Sequence, residues 1–245
     1  MVEVAGELGS IDRSQGLKSS VLARHEFFSW MPAATIERLC SHARLSTHPP
    51  GKELFRKGDK GLGLFAVVSG LVEISVPSDE GKKIVLNLIG VNEIFGELAL
   101  LDGGPRTADA VTLKESQLLS LDRRDFVSVL QNDPALALRL LELVTARLRK
   151  TSEQVEDMSF AEPQKRLAKT LLRLLAVPGA ASAAKAAISI TQKELGRMIG
   201  LSRESTNRCL REWQEEGWVA LQKGVVLVKD RDALAELVST LKYMP

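Results

Sequence analysis

Two short stretches of this 245-residue chain concentrate side chains whose types and spacing could do binding chemistry. The first is Phe95–Val111, FGELALLDGGPRTADAV. Gly96 permits close backbone approach, and GELAL can start a short helix whose free N–H groups favour an anion. Arg106 adds a fixed positive charge that can grip a phosphate through two parallel bonds. An arginine in that role is expected to face a pocket rather than the core. Glu97 supplies an acceptor suited to a sugar hydroxyl. GEL alone would read as a turn beside a surface Arg–Glu pair. GEL followed nine residues later by PRTA is a much more specific pattern.

The second stretch is Thr191–Trp213, TQKELGRMIGLSRESTNRCLREW. Thr191 with Glu194 three residues later forms a capping box that starts a helix. Leu195, Met198 and Ile199 give that helix a buried face. Gly200 supplies a turn, and Ser202 caps the next helix. Two helices joined in this way have the form of a helix-turn-helix. Arg203, Glu204, Asn207 and Arg208 share one exposed face at the start of the second helix, while Leu210 and Trp213 point into the core. Arg can bond guanine O6 and N7, and Glu can accept from cytosine N4. Thr191, Lys193, Ser202 and Ser205 are placed to reach phosphates. The bland alternative is a charged surface helix laced with i,i+4 ion pairs.

These residues need elements to hold them. Between about 45 and 120 the segments are short, rich in Val, Ile, Leu and Phe, and cut by glycines, which predicts a compact β barrel or roll. Val72–Val76 and Ile84–Leu88 read as strands about a turn at Asp79–Lys82. Residues 1–20 read as a loosely ordered arm and 21–43 as short helices interrupted at Pro32. Pro134 opens a long helix reaching about Ser159. Ala137, Leu141, Val144, Leu148, Thr151, Val155 and Met158 follow one another along it at spacings alternating between four and three. That is a coiled-coil seam and predicts a partner helix; the bland alternative is one amphipathic helix lying on its own domain. Phe160–Glu162 and Pro163 form a hinge, Gln164–Leu175 is helical, and Val177–Ala187 reads as a loop. Trp218–Leu221 and Val225–Val228 form a hairpin after Gly217.

Composition narrows the classes. At about 150 residues per domain, the chain holds one large domain or two modest ones. No apolar run reaches the roughly 18 residues of a membrane span, and the N-terminus lacks a basic start followed by an apolar stretch, so neither a membrane protein nor secretion is expected. Cys40 and Cys209 are the only cysteines. Without CxxC spacing they predict no disulfide framework, zinc site or iron–sulfur cluster, but a reducing, cytoplasmic setting. Residues 1–158 hold 19 Lys+Arg and 22 Asp+Glu, whereas 159–245 hold 14 and 9. Nucleic-acid contact is therefore expected in the second part.

The two motifs, together with TSEQV at Thr151–Val155, make the chain resemble the CRP/FNR superfamily of bacterial regulators from about residue 25 to 230. The resemblance implies an α+β fold: an N-terminal cyclic-nucleotide-binding, jelly-roll-like β-roll (21–133), a long dimerisation helix (134–159) and a C-terminal winged helix-turn-helix (160–245). It implies that Gly96, Glu97 and Leu98 hold ribose and phosphate, and that Arg106 and Thr107 hold the cyclic phosphate. Arg147 would brace the pocket against Glu97, and Thr151 with Ser152 of the other subunit would bond the base. Thr151 is the lone polar residue on the seam, where a polar group needs a partner; a purine edge would be one. Arg203, Glu204 and Arg208 would read bases.

The implied protein is a homodimeric transcription regulator rather than an enzyme. Cyclic AMP is its expected effector and no metal is expected. Its partners would be a palindromic DNA operator with TGTGA-like half-sites and, for an activator, RNA polymerase. Thr107 stands where bacterial receptors often have Ser, and eukaryotic sites preferring cyclic GMP use Thr there, so cyclic GMP is the second candidate. Asn207 replaces a small residue of the reading helix, which puts one operator position in question. His25, His42 and His48 are expected at the surface. A redox or gas sensor using Cys or His, and a ligand-independent DNA binder, are the rival readings on the same scaffold.

Overall fold

The structure, a computed structural model, describes residues 16, 18–23, 25, 27–77, 83–182 and 186–240. Almost all of the expected arm 1–20, and the whole turn at Asp79–Lys82, lie outside these residues. The chain forms two compact units, one of residues 1–73 and 89–144, the other of 74–88 and 145–245.

In the first unit, α1 (Ala33–His42) precedes β1 (Arg44–His48), β2 (Glu53–Phe55) and β3 (Gly63–Ser69). The strands β4 (Val72–Pro77) and β5 (Lys83–Ile89) are neighbours in the hairpin that carries the chain into the second unit and back. Next come β6 (Ile94–Phe95), α2 (Glu97–Asp102), β7 (Asp109–Thr112), β8 (Ser116–Asp122) and α3 (Arg123–Asn132). One sheet has the order β1-β8-β3-β6, with β8 antiparallel to both β1 and β3. β2 pairs antiparallel with β7. β3 and β8 are buried on both faces over much of their length, and one face places Leu64, Ala66, Leu119 and Leu121 in a core closed by Phe28, Leu39, Phe126 and Leu136.

The helix α4 runs from Pro134 to Phe160 and contains the boundary between the units. Pro134 suits a first turn, where an N–H has no partner to lose. Only Leu136 and Leu140 are buried along its length. Leu141, Leu148 and Val155 of the predicted seam are 60%, 65% and 59% exposed, too much apolar surface at helical spacing for a solvated face. In the second unit, Lys150 Nζ donates to Asn87 Oδ1 at 2.7 Å and Gln154 Nε2 to Leu86 O at 3.1 Å, pinning β5 to α4.

The second unit continues with α5 (Pro163–Ala176), β9 (Ala181–Ser182), β10 (Ala187–Ser189), α6 (Gln192–Ile199), α7 (Arg203–Glu215), β11 (Val219–Gln222), β12 (Val225–Val228) and α8 (Arg231–Thr240). The predicted loop Val177–Ala187 contains β9, and the first residue of β10 is Ala187. These strands pair with each other, and β10 also pairs with β12, giving the order β11-β12-β10-β9. Alanine and serine have weak strand propensity, so only the hydrogen bonds available along β12 make this segment extended. α8 was not expected from the sequence; Leu234 anchors it in the core.

His25 corrects a second expectation: it is 1% exposed, not a surface residue. Its ring lies 5.1 Å from that of Phe28, and Nδ1 accepts from the Phe27 N–H at 3.3 Å. His42 is exposed beside Asp125, and His48 is half-buried against the Ser46 hydroxyl at 2.8 Å.

Burial pushes the His25 pKa down to about 4, against a smaller upward pull from the Glu93 backbone. The folded state thus holds the neutral ring, and its contribution is complete above pH 6.5 and lost as pH falls towards 4. Between pH 7 and 4.5 the wild type should lose about 2–3 kcal/mol more stability than His25→Gln. Urea unfolding at both pH values checks this; parallel losses in the two proteins would show that His25 does not titrate in this range.

Candidate functional site

The anion-binding candidates of the first unit converge on α2. Gly96 is its N-terminal flanking residue, with φ 82° and ψ 11°, a left-handed conformation that a side chain would strain. A Cβ there would lie 2.4 Å from Arg106 Nη1. The reason is the path of the arginine. Its backbone is fixed by Arg106 N–H to Asp59 O and Gly58 N–H to Arg106 O, both 2.8 Å. Its guanidinium then turns inward, with Nη1 donating to Gly96 O and Nη2 to Gly63 O, each at 2.8 Å.

Arg106 is consequently 6% exposed, correcting the expectation that it stands outside the core. Its Cζ sits 4.2 Å from the Phe55 ring centroid, within cation–π range. Phe55, Phe65 and Phe95 form a platform with centroids 5.1–6.0 Å apart. Nε is buried with no partner among the described residues. Burial pulls the guanidinium pKa below its usual value, opposed by Glu97 and Asp59; an arginine stays charged regardless. Glu97 is buried, whereas Leu98 and Thr107 are exposed. The structure thus brings Gly96, Glu97, Leu98, Arg106 and Thr107 into one turn-rich corner, with a cation and a carboxylate under an exposed rim.

Arg147, Thr151 and Ser152 lie on the part of α4 that belongs to the second unit. The Thr151 hydroxyl donates to Arg147 O at 2.9 Å and that of Ser152 to Leu148 O at 3.0 Å. Both are exposed, and each oxygen retains acceptor capacity.

The second constellation is a built helix-turn-helix. Thr191 Oγ1 accepts from the Glu194 N–H at 3.2 Å, and Glu194 Oε2 accepts from the Thr191 N–H at 2.7 Å, completing the capping box. Ser202 Oγ accepts from the Ser205 N–H at 3.1 Å and starts α7. Leu195, Met198, Ile199, Leu210 and Trp213 are all buried. Arg203, Glu204, Arg208 and Lys193 are exposed, while Ser205 and Asn207 are half-buried. Glu204 and Arg208 form no ion pair among the described residues, so this exposed face is not consumed by internal pairing. β11 and β12 follow as the wing.

Comparison with known proteins decides the family. Residues 45–133 match the cyclic nucleotide-binding domain and residues 165–237 the Crp-like helix-turn-helix domain. The chain is 32% identical over 217 residues to the CRP-like cAMP-activated global transcriptional regulator of Mycobacterium tuberculosis, covering 88% of this chain and 97% of that protein. It is 33% identical over 210 residues to the cyclic AMP receptor protein of Thermus thermophilus, covering 86% and 95%. The chain belongs to the CRP/FNR superfamily. Among solved structures, the c-di-GMP responsive global regulator CLP of Xanthomonas campestris superimposes with a TM-score of 0.70 at 26% identity, over 80% of this chain and 99% of that one. As a CRP-family member, this protein is a cyclic-nucleotide-binding transcription regulator that binds DNA, and not an enzyme. Among the described residues no helix is long and apolar enough to cross a membrane.

The thiols are poor candidates for redox sensing. Cys40 and Cys209 are both free and buried. Burial raises the Cys40 pKa to about 11 and also moves Cys209 upward, which disfavours the reactive thiolate.

Sequence reasoning missed two residues that hold the DNA-binding unit together. A Cβ on Gly196 would lie 2.7 Å from Leu201 O and 3.0 Å from Thr206 Oγ1. Thr206 is fully buried and donates to Ser202 O at 2.9 Å. A glycine midway along an amphipathic helix was the available signal, because it weakens a helix unless something packs against it. Gly196→Ala should therefore destabilise the second unit by about 1–3 kcal/mol, because the methyl meets backbone rather than a movable side chain. Thermal unfolding of the full chain checks this; an unchanged or higher melting temperature would show that the two helices can separate freely.

Proposed function

We propose that this CRP-family protein is a cyclic AMP-responsive homodimer whose α7 helices read two inverted half-sites. The observation carrying the proposal is the buried Arg106 guanidinium held above Gly96 and beside the exposed Thr107. A cyclic phosphate at that corner would gain a charge-assisted contact from a cation already positioned, so little of the interaction is lost to ordering. Glu97 would accept from the ribose hydroxyl, with Gly96 and Leu98 lining the same turn. From the family resemblance, Arg147 braces the pocket, and Thr151 with Ser152 of the other subunit bonds the purine. The assignment of cyclic AMP draws on relatives named as cAMP-activated regulators and as a cyclic AMP receptor. Cyclic GMP remains the alternative at Thr107, and the c-di-GMP responsive neighbour adds a third nucleotide to compare. The boundaries 21–133, 134–159 and 160–245 serve as the working domains, in a cytoplasmic protein that, as an activator, would engage RNA polymerase.

The exposed α4 seam supports the dimer. Leu141, Leu148 and Val155 repeat at spacings of seven, the pattern that buries a stripe against a second helix. Ligand would favour one arrangement of the two DNA-binding units, and a coupling of about 1–3 kcal/mol is typical of such switches.

Calorimetry with cyclic AMP, cyclic GMP and c-di-GMP tests the effector. Cyclic AMP should bind most tightly, and Arg106→Leu should weaken it by about 1.5–3 kcal/mol. That variant also strands two carbonyls and is expected to melt lower, so Arg106→Lys, which keeps the charge without the fork, should fall between. Unchanged cyclic AMP affinity in both folded variants would sink the effector assignment.

DNA titrations test the readers. Arg203→Ala and Arg208→Ala should each lose about 1–3 kcal/mol on a TGTGA-type palindrome and relax preference at one base pair. Lys193→Ala should weaken all sequences alike and reduce the salt slope by about 1. Inserting about five base pairs between the half-sites rotates them onto opposite faces and should abolish tight binding. Uniform losses from both arginine variants, or indifference to spacing, would refute base reading by a dimer.

A further inference from the structure

The second unit contains a recess of about 510 Å³ that is lined by none of the residues proposed above to hold the nucleotide or to read DNA. Three helices build it. α4 contributes Lys150, Glu153 and Asp157, and α5 contributes Arg166, Lys169 and Arg173. Met158, Met198 and Ile199 supply apolar lining, the last two from the end of α6. Its four cations and two carboxylates leave an excess of two positive charges.

The pairing is incomplete in a specific way. Lys169 is bonded to Asp157, and Lys150 donates to Asn87 Oδ1 at 2.7 Å. Arg166 Nη1 donates to Met158 O at 3.0 Å, but its Nε is buried without a partner among the described residues. Arg173 is half-buried, and its side chain makes no hydrogen bond or ion pair among them. Burial lowers its pKa, opposed by the field of Asp157. Two guanidinium groups with unfilled donors therefore line a cavity whose volume is in the usual range for small-molecule sites. A guanidinium removed from water is stabilised by an acceptor that brings charge and planar or tetrahedral oxygens, which a carboxylate or phosphate does. The recess is a half-open cleft walled by helices and suits a compact ligand with an apolar body.

We propose that this recess binds a small organic dianion through Arg166 and Arg173, with its body against Met158, Met198 and Ile199. The site joins the C-terminal part of α4 to the end of α6, the first helix of the helix-turn-helix. An occupant would therefore add to the interactions that set the position of α6. The proposal does not depend on the assignment of cyclic AMP.

The test uses the full chain with ¹³C-methyl methionine and NMR at constant ionic strength. The probes are inorganic phosphate and succinate, which distinguish a phosphate head from a carboxylate one. Met158 and Met198 should shift saturably with at least one probe, while Met31 in the first unit's core stays fixed. The Arg106→Leu background should give the same response, which separates this site from the corner formed by Gly96 and Arg106. Arg173→Gln should weaken the response about tenfold or more, and Arg166→Gln provides a second variant should the first fold poorly. No saturable shift with either probe, an equal shift at Met31, or titrations unaltered in both folded variants would overturn the site.

Discussion

A guanidinium taken out of water has to find acceptors, and Arg106 finds them in the carbonyls of Gly63 and Gly96. Much of the first unit's functional corner follows from that requirement. Gly96 has no side chain because the guanidinium occupies the space one would need. Phe55, Phe65 and Phe95 form the surface on which the cation rests. The strand β3 is tied to the start of α2 through one side chain, so the turn proposed to bind phosphate is shaped by the chain's own hydrogen bonds. A donor fixed in this way loses little entropy on binding, which is the advantage of a preorganised site.

The long helix α4 faces a different constraint. Its first turns bury Leu136 and Leu140 in the roll's core, and its later turns hold β5 through Lys150 and Gln154. Between and beyond those contacts it presents Leu141, Leu148 and Val155 to solvent. An apolar stripe of that spacing is stabilised by a second helix and has no use as a solvated surface. The polar hydroxyls of Thr151 and Ser152 return their protons to the helix backbone, leaving oxygens as acceptors on the same exposed surface.

The DNA-binding unit depends on local backbone bonding. Thr191 and Ser202 each satisfy an N–H at a helix start, and Thr206 closes the turn from inside. Gly196 lets the two helices approach until the Leu201 carbonyl nearly fills its missing side chain. The outward face then carries Arg203, Glu204 and Arg208 without internal pairing, so their hydrogen-bonding capacity is available to base edges.

The helix-turn-helix was legible in the sequence because capping, the turn glycine and burial periodicity act over a few residues. The same holds for α4, whose apolar spacing persists through several turns, and for the corner of the first unit where Gly96, Glu97 and Arg106 lie close in sequence. Other features were decided only by tertiary structure. The order β1-β8-β3-β6 joins strands far apart in the chain, and no local pattern encodes which strand finds which. β9 and β10 are alanine- and serine-rich; β10 becomes a strand because β12 offers an edge, and β9 because β10 then offers one. His25 packs on its neighbours Phe27 and Phe28 but also meets the remote Glu93 backbone, and Arg106 is buried between two carbonyls, that of Gly63 remote in sequence. Local chemistry determined which residues could bind phosphate and bases; the desolvation that gives Arg106 its fixed position came from the packing of residues remote in sequence.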